Sequence, residues 1–196
     1  MMKASTIRAW SLAGALLASA PLIASAADTC AGVALPAQSD AFGAKLVRNG
    51  VGLREATFLN VDVYVAGLYV PHKTGSVDEI LKQDEPKLIM LKFVRDVSRD
   101  DMAKALTDAL RNNVGNEFEA THKHLNPFFQ KLPPLNKGTQ LILAYRPGHG
   151  VQLVVDGKVL GTETDDHFAN LVFRAWLGPQ PPDKDLKEGL LGGPCS

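Results

Sequence analysis

The sequence predicts a single α+β domain, and three observations carry that reading. Two blocks rich in Val, Leu, Ile, Phe and Tyr, at 44–95 and 139–161, have the composition of strands. Each is followed by apolar residues at helical spacing, at 98–131 and 165–191. No repeat, low-complexity tract or linker divides the chain, and 196 residues leave room for one substantial core rather than two.

The first element is a leader. Met1-Met2-Lys3 and Arg8 precede an apolar run from Ala9 to Ile23, and Ala24-Ser25-Ala26 supplies the small-x-small pattern of a signal-peptidase site. The expectation is a signal peptide over 1–26, a domain over 27–196, and an exported, periplasmic product with no integral membrane span after cleavage. An uncleaved anchor is the alternative, disfavoured by the shortness of the run and by Pro21 within it.

Between Ala44 and Val70 the pattern gives two or three strands, with Asn49-Gly50 reading as a turn between them. In Asn60–Tyr69 both parities become apolar, so this strand should be central and covered on both faces. Pro71-His72-Lys73-Thr74-Gly75 ends it, and Ser76 caps a short helix running to Gln83. Lys87–Arg95 is another strand. Ser98-Arg99-Asp100-Asp101 resembles a capping box. The helix it opens places Met102, Ala105, Leu106, Ala109 and Leu110 on one stripe, and a second helix follows from Gly115 to Lys131 before Pro133-Pro134. Thr139–Tyr145 and Val151–Val155 form a hairpin about Pro147-Gly148-His149-Gly150, with Lys158–Gly161 continuing the meander. Asp165–Leu177 reads as one helix ending at Gly178, with Phe168, Leu171, Val172, Ala175 and Trp176 on its apolar face. Pro181-Pro182-Asp183 opens a last short helix that buries Leu186, Leu190 and Leu191.

Charge and composition exclude several functions. The chain has 21 basic and 21 acidic residues, and the leader removes Lys3 and Arg8 without an acid, so no basic stripe remains to follow a phosphate backbone. Nucleic acid is not an expected partner. His122 and His124 are two apart on a helix and do not converge, and no His-Glu-x-x-His or cysteine ligand set occurs, so no metal or other cofactor is expected. Gly148 and Gly150 sit between strands rather than before a helix, which removes a phosphate loop. The two cysteines, Cys30 and Cys195, lie near opposite ends of the exported portion. A disulfide between them is favoured by an oxidising compartment, with two free thiols as the alternative.

The informative segment is Gly50-Val51-Gly52-Leu53-Arg54 leading into Val63-Tyr64-Val65-Ala66-Gly67-Leu68-Tyr69. With Asp166-His167-Phe168-Ala169, Trp176-Leu177-Gly178 and Leu186-Lys187-Glu188-Gly189-Leu190-Leu191-Gly192 it resembles the bacterial exported branch of the chalcone-isomerase-like family. The resemblance implies an open-faced β-sandwich: a large antiparallel sheet packed against a layer of helices, with a ligand cleft between them. It also implies a choice of function. Chalcone isomerases cyclise a phenolic chalcone with an arginine stabilising the enolate, whereas fatty-acid-binding relatives hold a carboxylate with an arginine and a tyrosine.

Arg54 matches the family arginine, and Tyr64 stands where the isomerases carry a threonine, as in the fatty-acid binders. The isomerase tyrosine and asparagine near the first long helix have no match. The physical chemistry agrees with a binder: a guanidinium on an apolar β segment offers a planar fork to a carboxylate, and a phenol adds a third donor. The leading expectation is therefore a non-catalytic binder of a fatty acid or similar small amphipathic or aromatic ligand, with Arg54 and Tyr64 as head-group donors. An intramolecular lyase of chalcone isomerase type, using Arg54, and a structural or partner-binding envelope module are the alternatives. The competing roles for these two residues are an ion pair of Arg54 with Glu55 or Asp62, and a core position for Tyr64.

Overall fold

The computed structural model describes residues 29–56, 61–82 and 85–195. The expected signal peptide lies outside them. Nine strands and six helices are described: β1 (Thr29–Cys30), β2 (Val33–Ala34), β3 (Gln38–Ala41), β4 (Ala44–Ala56), β5 (Val61–Val70), α1 (Val77–Ile80), β6 (Lys87–Phe93), α2 (Arg99–Val114), α3 (Phe118–Phe129), β7 (Gln140–Arg146), β8 (Gly150–Val155), β9 (Lys158–Glu163), α4 (Asp166–Leu171), α5 (Arg174–Leu177) and α6 (Lys184–Leu190). A single 3-10 turn, Gly115–Glu117, joins α2 to α3. The strands β3 to β9 form one antiparallel sheet in sequence order, and β1 with β2 forms a separate ribbon.

Alternation along β5 separates the two faces of the sheet. Tyr64, Ala66, Leu68 and Val70 join Ile89, Leu91, Phe93, Leu143 and Leu153 in the main core, roofed by Met102, Leu106 and Leu110 of α2 and by Phe128, Phe168 and Trp176. Val65 and Tyr69 point the other way, into a smaller cluster with Leu88 and Met90 under the N-terminal segment carrying Cys30 and Leu35. The third strand of seven is thus buried from Tyr64 to Val70 on both sides, as its continuous apolar run predicts. The helix layer covers one face of the sheet, as expected.

Local chemistry explains most boundaries. Ser76, Ser98, Asp165 and Asp183 each sit in extended backbone and accept amide hydrogen bonds from the first turn of the helix that follows. At α2 the box is modified: the Ser98 Oγ accepts from the Asp101 amide at 3.1 Å and donates to the Asp101 carboxylate at 2.6 Å.

Two expectations are corrected. Asn49-Gly50 is not a turn; it is a bulge inside β4, where the register to β5 shifts between Arg48 and Gly50. The amide of Asn49 accounts for the difference. Its Oδ1 accepts from the Thr74 amide at 2.8 Å and its Nδ2 donates to the Leu190 carbonyl at 2.9 Å, long-range partners no turn signal reveals. The segment Asp165–Leu177 is two helices, α4 and α5, broken at Val172-Phe173. Its five apolar residues, Phe168, Leu171, Val172, Ala175 and Trp176, are nevertheless all buried, because both pieces pack on the same core.

The C-terminal helix explains the Gly-x-Gly pattern. A Cβ on Gly50 would strike the backbone of Gly189 and Leu190, and one on Gly52 the backbone of Leu186. Only glycine lets α6 lie directly against β4. Cys195, just beyond α6, is joined to Cys30 in a disulfide with a Cα–Cα distance of 5.8 Å, closing a loop of sequence separation 165. The two ends of the domain are thereby fixed to each other, as the cysteine positions suggested.

Candidate functional site

Arg54 and Tyr64 are register partners on β4 and β5, and Tyr64 is in turn opposite Phe93 on β6. The pleat therefore places all three side chains in one row on the helix-covered face. The Tyr64 and Phe93 rings meet edge to face with centroids 5.5 Å apart. Above this row lies a cavity of about 210 Å³, walled by Val63, Met102, Ala109 and Trp176, with Arg54 and Tyr64 supplying its polar groups together with Asp101. The stripe of α2 forms one wall because Met102, Ala105, Leu106 and Ala109 share a helical face.

The Arg54 guanidinium is half-buried, its side chain 20% exposed against 15% for Asp183, whose Oδ2 lies 3.6 Å from Arg54 Nη1. The same Nη1 donates to the Glu55 carbonyl oxygen. The acid beside Arg54 is thus Asp183, which starts α6, and the contact to Glu55 is to its backbone rather than to its carboxylate. Asp183 is itself committed elsewhere: Oδ1 accepts from the amides of Asp185 and Leu186 at 3.0 and 3.2 Å, and Oδ2 from the Glu55 amide at 3.3 Å. Among the described residues both contacts of the Arg54 side chain use Nη1, leaving Nε and Nη2 to donate.

Tyr64 is 5% exposed and belongs to the main core as well as to the cavity wall. Its hydroxyl oxygen accepts from Trp176 Nε1 at 3.1 Å. Burial pushes the phenol up to about 12, against the opposing effects of the Trp176 hydrogen bond and the Arg54 charge. The group is a neutral O–H at pH 7. Because Trp176 occupies an acceptor position of the oxygen, the phenolic hydrogen is left to donate.

The other groups weighed in the sequence are placed elsewhere. The His122 ring meets Phe118 in a tilted contact with centroids 5.3 Å apart, while His124 Nδ1 lies 3.1 Å from Glu163 Oε2 and His167 Nε2 lies 2.7 Å from Glu117 Oε2. No group of three or more potential metal ligands occurs among the described residues. Nor does any described helix have the length and apolarity to cross a membrane. Sequence reasoning did not connect Asp183 and Trp176 with Arg54 and Tyr64. The helix-opening signal at Asp183 and the apolar stripe containing Trp176 were visible, but neither pattern specifies contact with strands more than a hundred residues earlier.

The fold is shared with known proteins. A crystal structure of an Arabidopsis thaliana fatty-acid-binding protein superposes with a TM-score of 0.64 at 20% identity, covering 82% of this chain and 92% of that one. The curated fatty-acid-binding protein 1 of Arabidopsis thaliana is 20% identical over 177 residues, 75% of this chain, and the aligned region spans 63% of that protein's length. The family model described as chalcone isomerase-like matches residues 27–192. With a match from before β1 to beyond α6, over a seven-stranded sheet roofed by helices on one face, the chain belongs to the chalcone isomerase-like family.

Proposed function

We propose that this chain is a non-catalytic binder of a fatty acid or similar small amphipathic anion, exported to the periplasm and holding its ligand head-first at Arg54 and Tyr64. The observation that carries the reading is the pairing of these two residues at the edge of one apolar cavity, each with hydrogen-bond donors to spare. A carboxylate is the complement of that donor set: the guanidinium offers parallel N–H groups and the phenol a further O–H. The similarity to fatty-acid-binding proteins supports the same reading. Methylene groups entering the cavity would leave water at about 0.8 kcal/mol each. At about 210 Å³ the space is smaller than the roughly 300–1,000 Å³ of common ligand pockets, so the ligand fits as a short or medium chain unless α2 shifts outward.

The test is mass spectrometry of small molecules extracted from purified protein beside an Arg54→Ala control. A fatty acid or other amphipathic acid present in the wild type and depleted in the folded variant is the expected result. Equal recovery from both, or none from either, would sink the proposal and favour a structural or partner-binding role.

A further inference from the structure

A second depression, of about 390 Å³, opens where α1, α5 and α6 meet, and it shares no lining residue with the Arg54 cavity. Its wall carries three cations, Lys82, Arg174 and Lys187, against one acid, Asp78. None of the three cations has a carboxylate within 4.0 Å among the described residues. Lys82 is exposed, whereas Arg174 and Lys187 are half-buried. The Nε of Arg174 is buried with no hydrogen-bond partner among those residues. Lys187 Nζ donates to the Gly178 carbonyl at 2.8 Å, and burial holds its pKa below the ordinary lysine value.

This arrangement disfavours the folded state on its own. The Arg174 Nε, buried without an acceptor among the described residues, has lost its hydration without compensation, and a second half-buried cation on the same wall adds repulsion. An oxyanion removes both costs. The fork of Arg174 suits bidentate contact with a tetrahedral or planar oxyanion, and the two lysines add positive charge beyond what one carboxylate balances.

We propose that this depression is an oxyanion site that takes a phosphate group, with Arg174 as the fork and Lys187 and Lys82 as flanking charges. The phosphate is either free in solution or the headgroup of an anionic lipid; the site chemistry is shared. The site stands independently of the Arg54 cavity and of what that cavity holds.

Inorganic phosphate titrated into isotope-labelled protein at constant ionic strength, with chloride as the control salt, tests it on the amide resonances of Arg174, Gly178 and Lys187. A saturable shift with phosphate and none with chloride is expected. Arg174→Gln should weaken it at least about tenfold, the loss of a hydrogen-bonded charge contact, while the melting temperature without phosphate holds or rises. Lys187→Gln, expected to weaken binding in the same direction, serves if the first variant does not fold. Capture by phosphatidylglycerol vesicles, but not phosphatidylcholine vesicles, with competition by phosphate assigns a headgroup; phosphate binding without capture assigns the free ion. Identical responses to phosphate and chloride would overturn the proposal. So would an Arg174→Gln protein that melts well below wild type yet binds phosphate unchanged, since that marks a purely structural arginine.

Discussion

Replacing Asp183 by asparagine separates the two partners that compete for Arg54. In the resting geometry the Asp183 carboxylate stands 3.6 Å from Arg54 Nη1 and offsets part of the charge a ligand carboxylate would use. Asparagine is almost as good an N-cap as aspartate, so acceptance from the Asp185 and Leu186 amides survives. What is lost is the Oδ2 contact to the Glu55 amide, at 3.3 Å a long hydrogen bond worth about 0.5–1 kcal/mol, and the ion pair, worth at most about 1 kcal/mol at 20% and 15% exposure. The melting temperature should therefore fall by about 2–6 °C. Affinity for a medium-chain fatty acid should rise by about two- to fivefold, the same kcal/mol returned to Arg54. Calorimetric titration with the acid and with the fatty alcohol of equal length reads this, and the alcohol should bind wild type and Asp183→Asn alike. If Asp183→Asn weakens the acid, or changes acid and alcohol by the same factor, Arg54 is not the group that recognises the carboxylate.

Other outcomes follow from single contacts. Tyr64→Phe leaves the indole N–H of Trp176 buried without its acceptor, so it should destabilise by about 1–3 kcal/mol in chemical denaturation even without ligand; no change would place that N–H elsewhere. Replacing Cys30 and Cys195 by alanine should cost up to about 4–5 kcal/mol by the chain-entropy account, measured against the oxidised protein; a loss below about 1 kcal/mol would mean the ends are held without the bond. Two carboxylates set an acid limit. Burial pushes Glu163 up but is outweighed by the amides of Asp165 and Thr164 and by His124, while the Phe168 amide, opposed by burial, leads in holding Asp165 down, so both folded pKa values lie below the ordinary ones. Their contribution is complete above the unfolded carboxylate pKa of about 4 and is lost as pH falls through the folded values; Glu163→Gln should flatten that part of a stability-versus-pH curve, and an unchanged curve would refute the assignment.

Elements whose cause is local were legible in the sequence, and those whose cause is distant were not. The caps at Ser76, Ser98 and Asp183 and the hairpin after Tyr145 depend on neighbours within a few residues, and the patterns marked them. Asn49-Gly50 has the composition of a turn, yet the Thr74 amide and the Leu190 carbonyl hold the Asn49 side chain and keep β4 continuous. Gly50 and Gly52 carried a family resemblance before they carried a reason; the reason is the backbone of α6, which arrives from the other end of the chain. The same holds at the site. Arg54 and Tyr64 could be singled out from the residues and the resemblance, but Asp183 and Trp176, which orient them, come from the C-terminal helices.

The most direct test of the account is a crystal structure of the protein grown with a medium-chain fatty acid. It should show the carboxylate within hydrogen-bond distance of the Arg54 guanidinium and the Tyr64 hydroxyl, with the alkyl chain between Met102, Ala109 and Trp176. An acid bound elsewhere, or a cavity closed by its own side chains at saturating ligand, would contradict it.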